Sequence, residues 1–155
     1  MRLAAIAAAL ALGALAGCSP GIQWPPGFVE VGKENLGPYA QRAVSADGVV
    51  VALRTEPNPK NAAADFWATA IRDELVSRRG YALAKEEPLT SADGAPGRLL
   101  TFTAQRSGVE FTYLTAVYVR GQQVLLAEAG GKSQTVAPKA DELRKSLASV
   151  RAAGP

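Results

Sequence analysis

Histidine is absent from the 155-residue chain and cysteine occurs once, at Cys18. Without an imidazole, the nucleophile–His arrangements of hydrolases are excluded. One thiol and no histidine also exclude zinc sites built on those ligands, internal disulfides and c-type haem attachment. Charge is scarce as well. Asp, Glu, Lys and Arg make up 20% of the residues and leave a formal net charge of +3, too little and too dispersed for a nucleic-acid surface. The longest apolar run, residues 3–15, falls short of the roughly 20 residues needed to cross a bilayer. What is present is 48% hydrophobic residues, which suits one folded domain and not a disordered chain. No metal, nucleic acid or dissociable cofactor is expected.

The short apolar run is informative by its flanks. Arg2 precedes it, and Leu15, Ala16 and Gly17 lead from it into Cys18, the layout of a secretory signal peptide. These four residues resemble the lipobox of bacterial lipoproteins, whose cysteine is diacylated before cleavage. The resemblance implies a signal peptide over residues 1–17 and a covalent acyl or diacylglycerol lipid on Cys18. The mature chain then starts at Cys18, and loss of Arg2 lowers the net charge to +2. It also implies the membrane as a partner through the lipid anchor and an address in the cell envelope. Ser19, where Asp would resemble an inner-membrane retention signal, favours the outer membrane facing the periplasm in a Gram-negative host.

Residues 18–27 then read as the lipidated cysteine and a Pro/Gly-rich tether, extended by its prolines. Within it, Trp24 is expected to cap the edge of the domain that follows, or to dip into the headgroup layer. A single domain is expected over 28–155. Strands are predicted at 28–31, 39–45 and 49–55, the last two joined through Asp47 and Gly48, a hairpin signal. Asn61 is expected to cap a helix over 62–79 with Ala64, Trp67, Ala68, Ile71 and Leu75 on one stripe, ended by Gly80. Four more strands are predicted at 81–86, 98–107, 109–120 and 123–129, the last three in an antiparallel meander. Gly130 and Gly131 are expected to break the last strand before a second amphipathic helix over 135–151, with Leu143, Leu147 and Val150 as its stripe. The fold class is α+β: a single antiparallel β-sheet packed against two amphipathic helices.

The carriers of a wider resemblance are the extended VVVALRTEPNP at 49–59, the helix NAAADFWATAIRDELVSRRGY at 61–81, the strand region at 84–130 and the closing KADELRKSLASVR at 139–151. In order and texture they resemble the PsbP/DcrB-like family of small α+β proteins, frequent among bacterial lipoproteins. The resemblance spans about two-thirds of the chain. The family has no common catalytic residues to carry over, and what it implies is an accessory or scaffold role in envelopes and photosynthetic membranes.

Chemistry is sparse in the residues themselves. Asp73 and Glu74, like Asp141 and Glu142, are helix neighbours that point about 100° apart and cannot share a proton. GGKS at 130–133 lacks the first glycine of a phosphate-binding loop, because Leu126 stands in its place. Glu128 and Glu110 are the carboxylates set in apolar strands; Glu128 is expected to reach water at a sheet edge or to pair with Arg98, Arg106 or Arg120, or else to contact a ligand. The protein is therefore expected not to be an enzyme, but an envelope lipoprotein that docks a partner protein. The alternative is a binder of a small hydrophobic or lipid-like ligand between sheet and helices, and a carboxylate hydrolase is the remotest reading. Candidate contact residues are Trp67, Tyr113, Leu114, Tyr118 and Glu128.

Overall fold

The computed structural model describes residues 19–152. Leu15, Ala16, Gly17 and Cys18, the lipobox of the sequence reading, lie outside the described residues. Seven strands form one sheet in the order β1-β2-β3-β7-β6-β5-β4, with every neighbouring pair antiparallel. They are β1 (Phe28–Glu30), β2 (Gln41–Ser45), β3 (Val50–Pro57), β4 (Ala82–Thr90), β5 (Pro96–Arg106), β6 (Val109–Arg120) and β7 (Gln123–Lys132). The hairpin glycines sit where tight turns demand positive φ, Gly48 at 83° and Gly121 at 54°. Two meanders, β1 to β3 and β4 to β7, are joined in the middle by the β3–β7 ladder, which sets Ala52 beside Glu128.

The helices lie on opposite faces of this sheet. Helix α1 (Ala64–Asp73), extended by a π-helical turn (Glu74–Arg78), packs Ala68, Trp67, Ile71 and Leu75 on Leu100, Phe102, Val117, Val124 and Leu126. After β7 come α2 (Ser133–Val136), a 3-10 turn (Ala137–Lys139) and α3 (Ala140–Ala148). Leu143, Leu147 and Val150 bury themselves on the other face against Val51, Leu53, Leu99, Tyr118, Leu125 and Ala127. Alternation along each strand divides the residues between these two cores. The ring of Tyr118 lies across Gly97, where a Cβ would collide with it and with the Val117 carbonyl.

Several expectations are corrected. Gly130 and Gly131 do not end β7, which runs on to Lys132. A Cβ on Gly131 would stand 3.3 Å from Val49 Cα and 3.4 Å from Val136 Cγ2, so the glycines mark close approach inside the sheet. The second helix is not continuous over 135–151, because Pro138 sits in the 3-10 turn between two shorter helices. Asn61 does not cap α1. It takes a positive φ of 51°, and the buried Asn58 does the fastening: its Oδ1 accepts from Ala62 N at 2.9 Å and its Nδ2 donates to Ala62 O at 2.9 Å. The α1 helix ends at Asp73, six residues before the expected position, and Tyr81 N closes the π turn on Leu75 O at 3.0 Å over Gly80 at φ 70°.

Residues 21–25 are not a free spacer. Gly21 and Arg151 exchange backbone hydrogen bonds at 3.0 Å, Gln23 N donates to Ser149 Oγ at 2.8 Å, and Ser146 Oγ donates to Gln23 O. Ile22 and Trp24 pack against the α3-side core, so Trp24 caps the domain edge. Among the described residues no helix is long and apolar enough to cross a membrane.

Candidate functional site

Helix α1 runs over β5, β6 and the Val124–Leu126 part of β7, and leaves the same face of β2, β3 and the Glu128–Gly130 part of β7 uncovered. A cleft of about 530 Å³ follows this boundary, with Trp67, Ile71 and Leu75 of α1 on one wall and Tyr39, Arg54, Tyr113 and Glu128 on the other. A shallower extension of about 280 Å³ continues past Arg42, Ala52 and Gly130. The apolar wall exists because the helix needs a stripe wider than the strands beneath it cover. Trp67 is fixed at its polar end, where Nε1 donates to Asn58 Oδ1 at 3.2 Å. Tyr113 stacks on Phe102 at 6.2 Å, and Tyr81 meets both rings edge-on, closing the lower end of the cleft.

The polar wall centres on Glu128, which is 7% exposed and accepts from Arg54 Nε at 3.0 Å. Arg54 also pairs with Glu56. Burial, reinforced by the negative charge of Glu128, pushes the Tyr39 and Tyr113 phenols up, so both remain O–H donors at neutral pH. Arg42 stands beside them with its Nε buried and without a hydrogen-bond partner among the described residues, and the same holds for Thr115 Oγ1 on the strand next to Glu128. The cleft thus offers an apolar wall, two phenolic donors and two guanidinium groups around one engaged carboxylate. That set suits recognition by hydrogen bonds and apolar contact.

Of the residues singled out in the sequence, Trp67, Tyr113 and Glu128 come together here. Leu114 and Tyr118 do not. Both point to the opposite face, where Tyr118 is fully buried and its hydroxyl donates to Leu147 O at 2.9 Å. They belong to the α3-side core by the period-2 alternation of β6. Glu128 reaches none of the arginines expected for it: Arg98 pairs with Asp65 at 2.6 Å, Arg120 with Asp93 at 3.1 Å, and Arg106 donates to backbone carbonyls of Gln105 and Arg79. Its partner Arg54 comes from β3, across a ladder that sequence proximity does not reveal. Glu110 is exposed near the far end of β6, on the face opposite Glu128, so the two carboxylates form no catalytic pair. Among the described residues no group of three or more His, Cys, Asp or Glu side chains could hold a metal ion.

Tyr39, Arg42 and Arg54 were missed by sequence reading. The one available signal was Arg54, a cation interrupting the apolar run of β3 on the face shared with Ala52.

Comparison with known structures places the fold. The cyanobacterial PsbP protein of Synechocystis sp. PCC 6803 superposes with a TM-score of 0.61 at 12% identity, covering 92% of this chain and 97% of that one. LpqN of Mycobacterium tuberculosis gives 0.66 at 14% identity, covering 87% and 85%. A Pseudomonas aeruginosa protein of unknown function, described as a putative regulator, gives 0.54 at 16%, covering 92% and 88%. The fold is therefore PsbP/DcrB-like: one seven-stranded antiparallel sheet packed against two helices. No family model matches the sequence. No curated protein matches it either.

Proposed function

We propose that this chain is a lipid-anchored accessory module of the cell envelope that works by binding a partner protein and carries out no catalysis. The acylated Cys18 holds it to the membrane, facing the periplasm on the outer membrane of a Gram-negative host. The observation that carries the binding role is the half-covered α1 face, a concave surface with apolar and polar walls. Its carboxylate is engaged by Arg54, which supports recognition over proton transfer. The similar mycobacterial structure is described as involved in cell envelope biogenesis, which accords with this address. The test is recovery of the lipidated chain from membranes with its partner. Ala70→Glu places a charge on the exposed, helix-compatible rim of the cleft. We expect a stoichiometric protein with the native chain and its loss with Ala70→Glu; recovery of none with either chain sinks the reading.

A second reading has its own support. The cleft volume falls within the roughly 300–1,000 Å³ typical of small-ligand sites. With Ile71 and Leu75 on one side and Arg42 and Tyr39 on the other, it suits a small amphiphile. Native mass spectrometry of the chain taken directly from its membrane would show such a ligand as a bound mass absent from Ala70→Glu.

A further inference from the structure

The chain leaves the described domain at Pro20, and it leaves under restraint. Gln41 Nε2 donates to Pro20 O at 3.3 Å, and Gly21, Gln23 and Trp24 are then fastened to the α3 side of the domain. Two peptide units separate Pro20 from Cys18, about 7 Å of fully extended backbone. A domain of this size has a radius of gyration of about 14 Å, so such a leash cannot hold it clear of a surface.

The end of the sheet at which Pro20 emerges is continuous through hydrogen bonds. Ala92 N donates to Val150 O at 3.1 Å, Ala152 N to Asp93 Oδ2 at 3.0 Å, and Arg120 joins Asp93; Asn58 N donates to Gln122 O at 2.7 Å and its side chain fastens the start of α1. In the first turn of α1, Phe66 is 60% exposed, packed edge-on against Trp67 at 5.9 Å. Asp65 and Asp93 at this end are neutralised by Arg98 and Arg120, and the exposed Lys60 and Arg151 have no carboxylate partner among the described residues; Glu30, Lys33 and Glu34, likewise unpaired among them, lie at the edge of this end, where β1 leads into the β1–β2 connection. An exposed aromatic ring with uncompensated cations matches the layer of anionic phospholipid headgroups.

We infer that this end of the domain, with Phe66, Lys60, Arg151 and the turns at 92–94 and 121–122, rests on an anionic lipid surface and fixes how the α1 cleft is presented. The inference rests on lipidation of Cys18. In the lipidated chain on phosphatidylglycerol-containing vesicles, a nitroxide placed by Gln122→Cys is at least fivefold less accessible to a water-soluble nickel quencher than one placed by Gln134→Cys at the opposite end. Equal accessibility overturns the orientation. A twelve-residue Gly/Ser insertion between Ser19 and Pro20 isolates the affinity of the surface itself. With it, the contrast persists on anionic vesicles and falls below twofold with Lys60→Glu/Phe66→Ser; a contrast lost with the native surface overturns the headgroup assignment. Intact mass separates the premise: a chain without acyl mass sinks the anchor reading and this inference together, whereas an acylated chain with equal labels sinks the orientation alone.

Discussion

The two faces of one sheet have been put to different uses. On the α3 face Leu143, Leu147, Val150 and Tyr118 are fully buried, and the N-terminal segment from Ile22 to Phe28 adds a further apolar cover. On the α1 face the helix contributes only Ala68 as a fully covered residue, with Trp67, Ile71 and Leu75 left partly open beside the cleft. A face covered on all sides supplies stability. A face covered halfway keeps apolar surface and polar donors in contact with solvent, at the cost of the stability that full burial would bring.

Truncation is the most direct way to break this comparison. Leu147→Ala removes a side chain packed on every side and is expected to cost about 2–5 kcal/mol. Leu75→Ala, at the rim of the cleft, is expected to cost less than about 1.5 kcal/mol, since part of that side chain already faces water. Urea midpoints for the two variants, measured side by side, check the contrast. Similar losses would mean that the cleft is closed in solution and that the faces are not different in kind.

The ion pair of the open face comes next. Glu128→Ala leaves Arg54 with Glu56 alone, and because Arg54 is partly solvated the expected loss is about 1–3 kcal/mol, below that for a fully buried pair. Replacing both partners by Arg54→Met/Glu128→Leu restores most of it, because no charge is then left facing an apolar neighbour. A double variant no better than Glu128→Ala would show that the carboxylate holds something besides Arg54. The tyrosines give a finer contrast. Tyr118→Phe forfeits the bond to Leu147 O and leaves a buried carbonyl unsatisfied, about 1 kcal/mol. Tyr113→Phe, whose hydroxyl faces the cleft, costs about half of that or less, and its consequence is expected in binding.

How much of this was legible follows from the range of the signals. Alternation within a strand is local, so the shared face of Tyr113, Thr115 and Val117 within β6 could be read directly, as could the hairpin at Asp47 and Gly48 and the stripe of α1. The β3–β7 ladder brings Arg54 and Glu128 together across 74 residues of sequence, and no local pattern specifies that partner. Alternation also holds the reason that Leu114 and Tyr118 were misplaced: residues of even number on β6 face α3, and Tyr113 is odd. Gly130 and Gly131 carry the composition of a break, yet the missing side chain of Gly131 answers to Val49 and Val136 and that of Gly130 to Thr112 and Tyr113, which only the folded chain brings near. Segment 21–25 has the composition of a linker, and its fastening depends on Ser146 of α3, Ser149 just past its end and the Arg151 backbone, all over a hundred residues away.

The smallest expected effects concern pH, and they divide by face as well. Asp93 sits in the turn that ties the C-terminal end of the α3 side together. Its burial opposes ionisation, but hydrogen bonds from Ser91, Ala152 N and Arg120 outweigh that and hold the carboxyl well below the usual carboxylate range. A depressed value in the folded state gives stability that is complete at neutral pH and is lost as acid titrates first the unfolded and then the folded form. Asp93→Asn should therefore be less stable than the native chain at pH 7, with a gap that begins to narrow below about pH 4, near the ordinary Asp value. The cleft behaves in the opposite sense. Burial and the charge of Glu128 raise Tyr39 and Tyr113, so the stability these phenols contribute is complete at neutral pH and disappears only in alkali, above about pH 10. Denaturation of the native chain, Asp93→Asn and Tyr39→Phe/Tyr113→Phe across both limbs checks the division. A gap for Asp93→Asn that stays constant from pH 7 to pH 2 would show that the turn is held by its backbone bonds, leaving the carboxylate without a share in closing the α3 face.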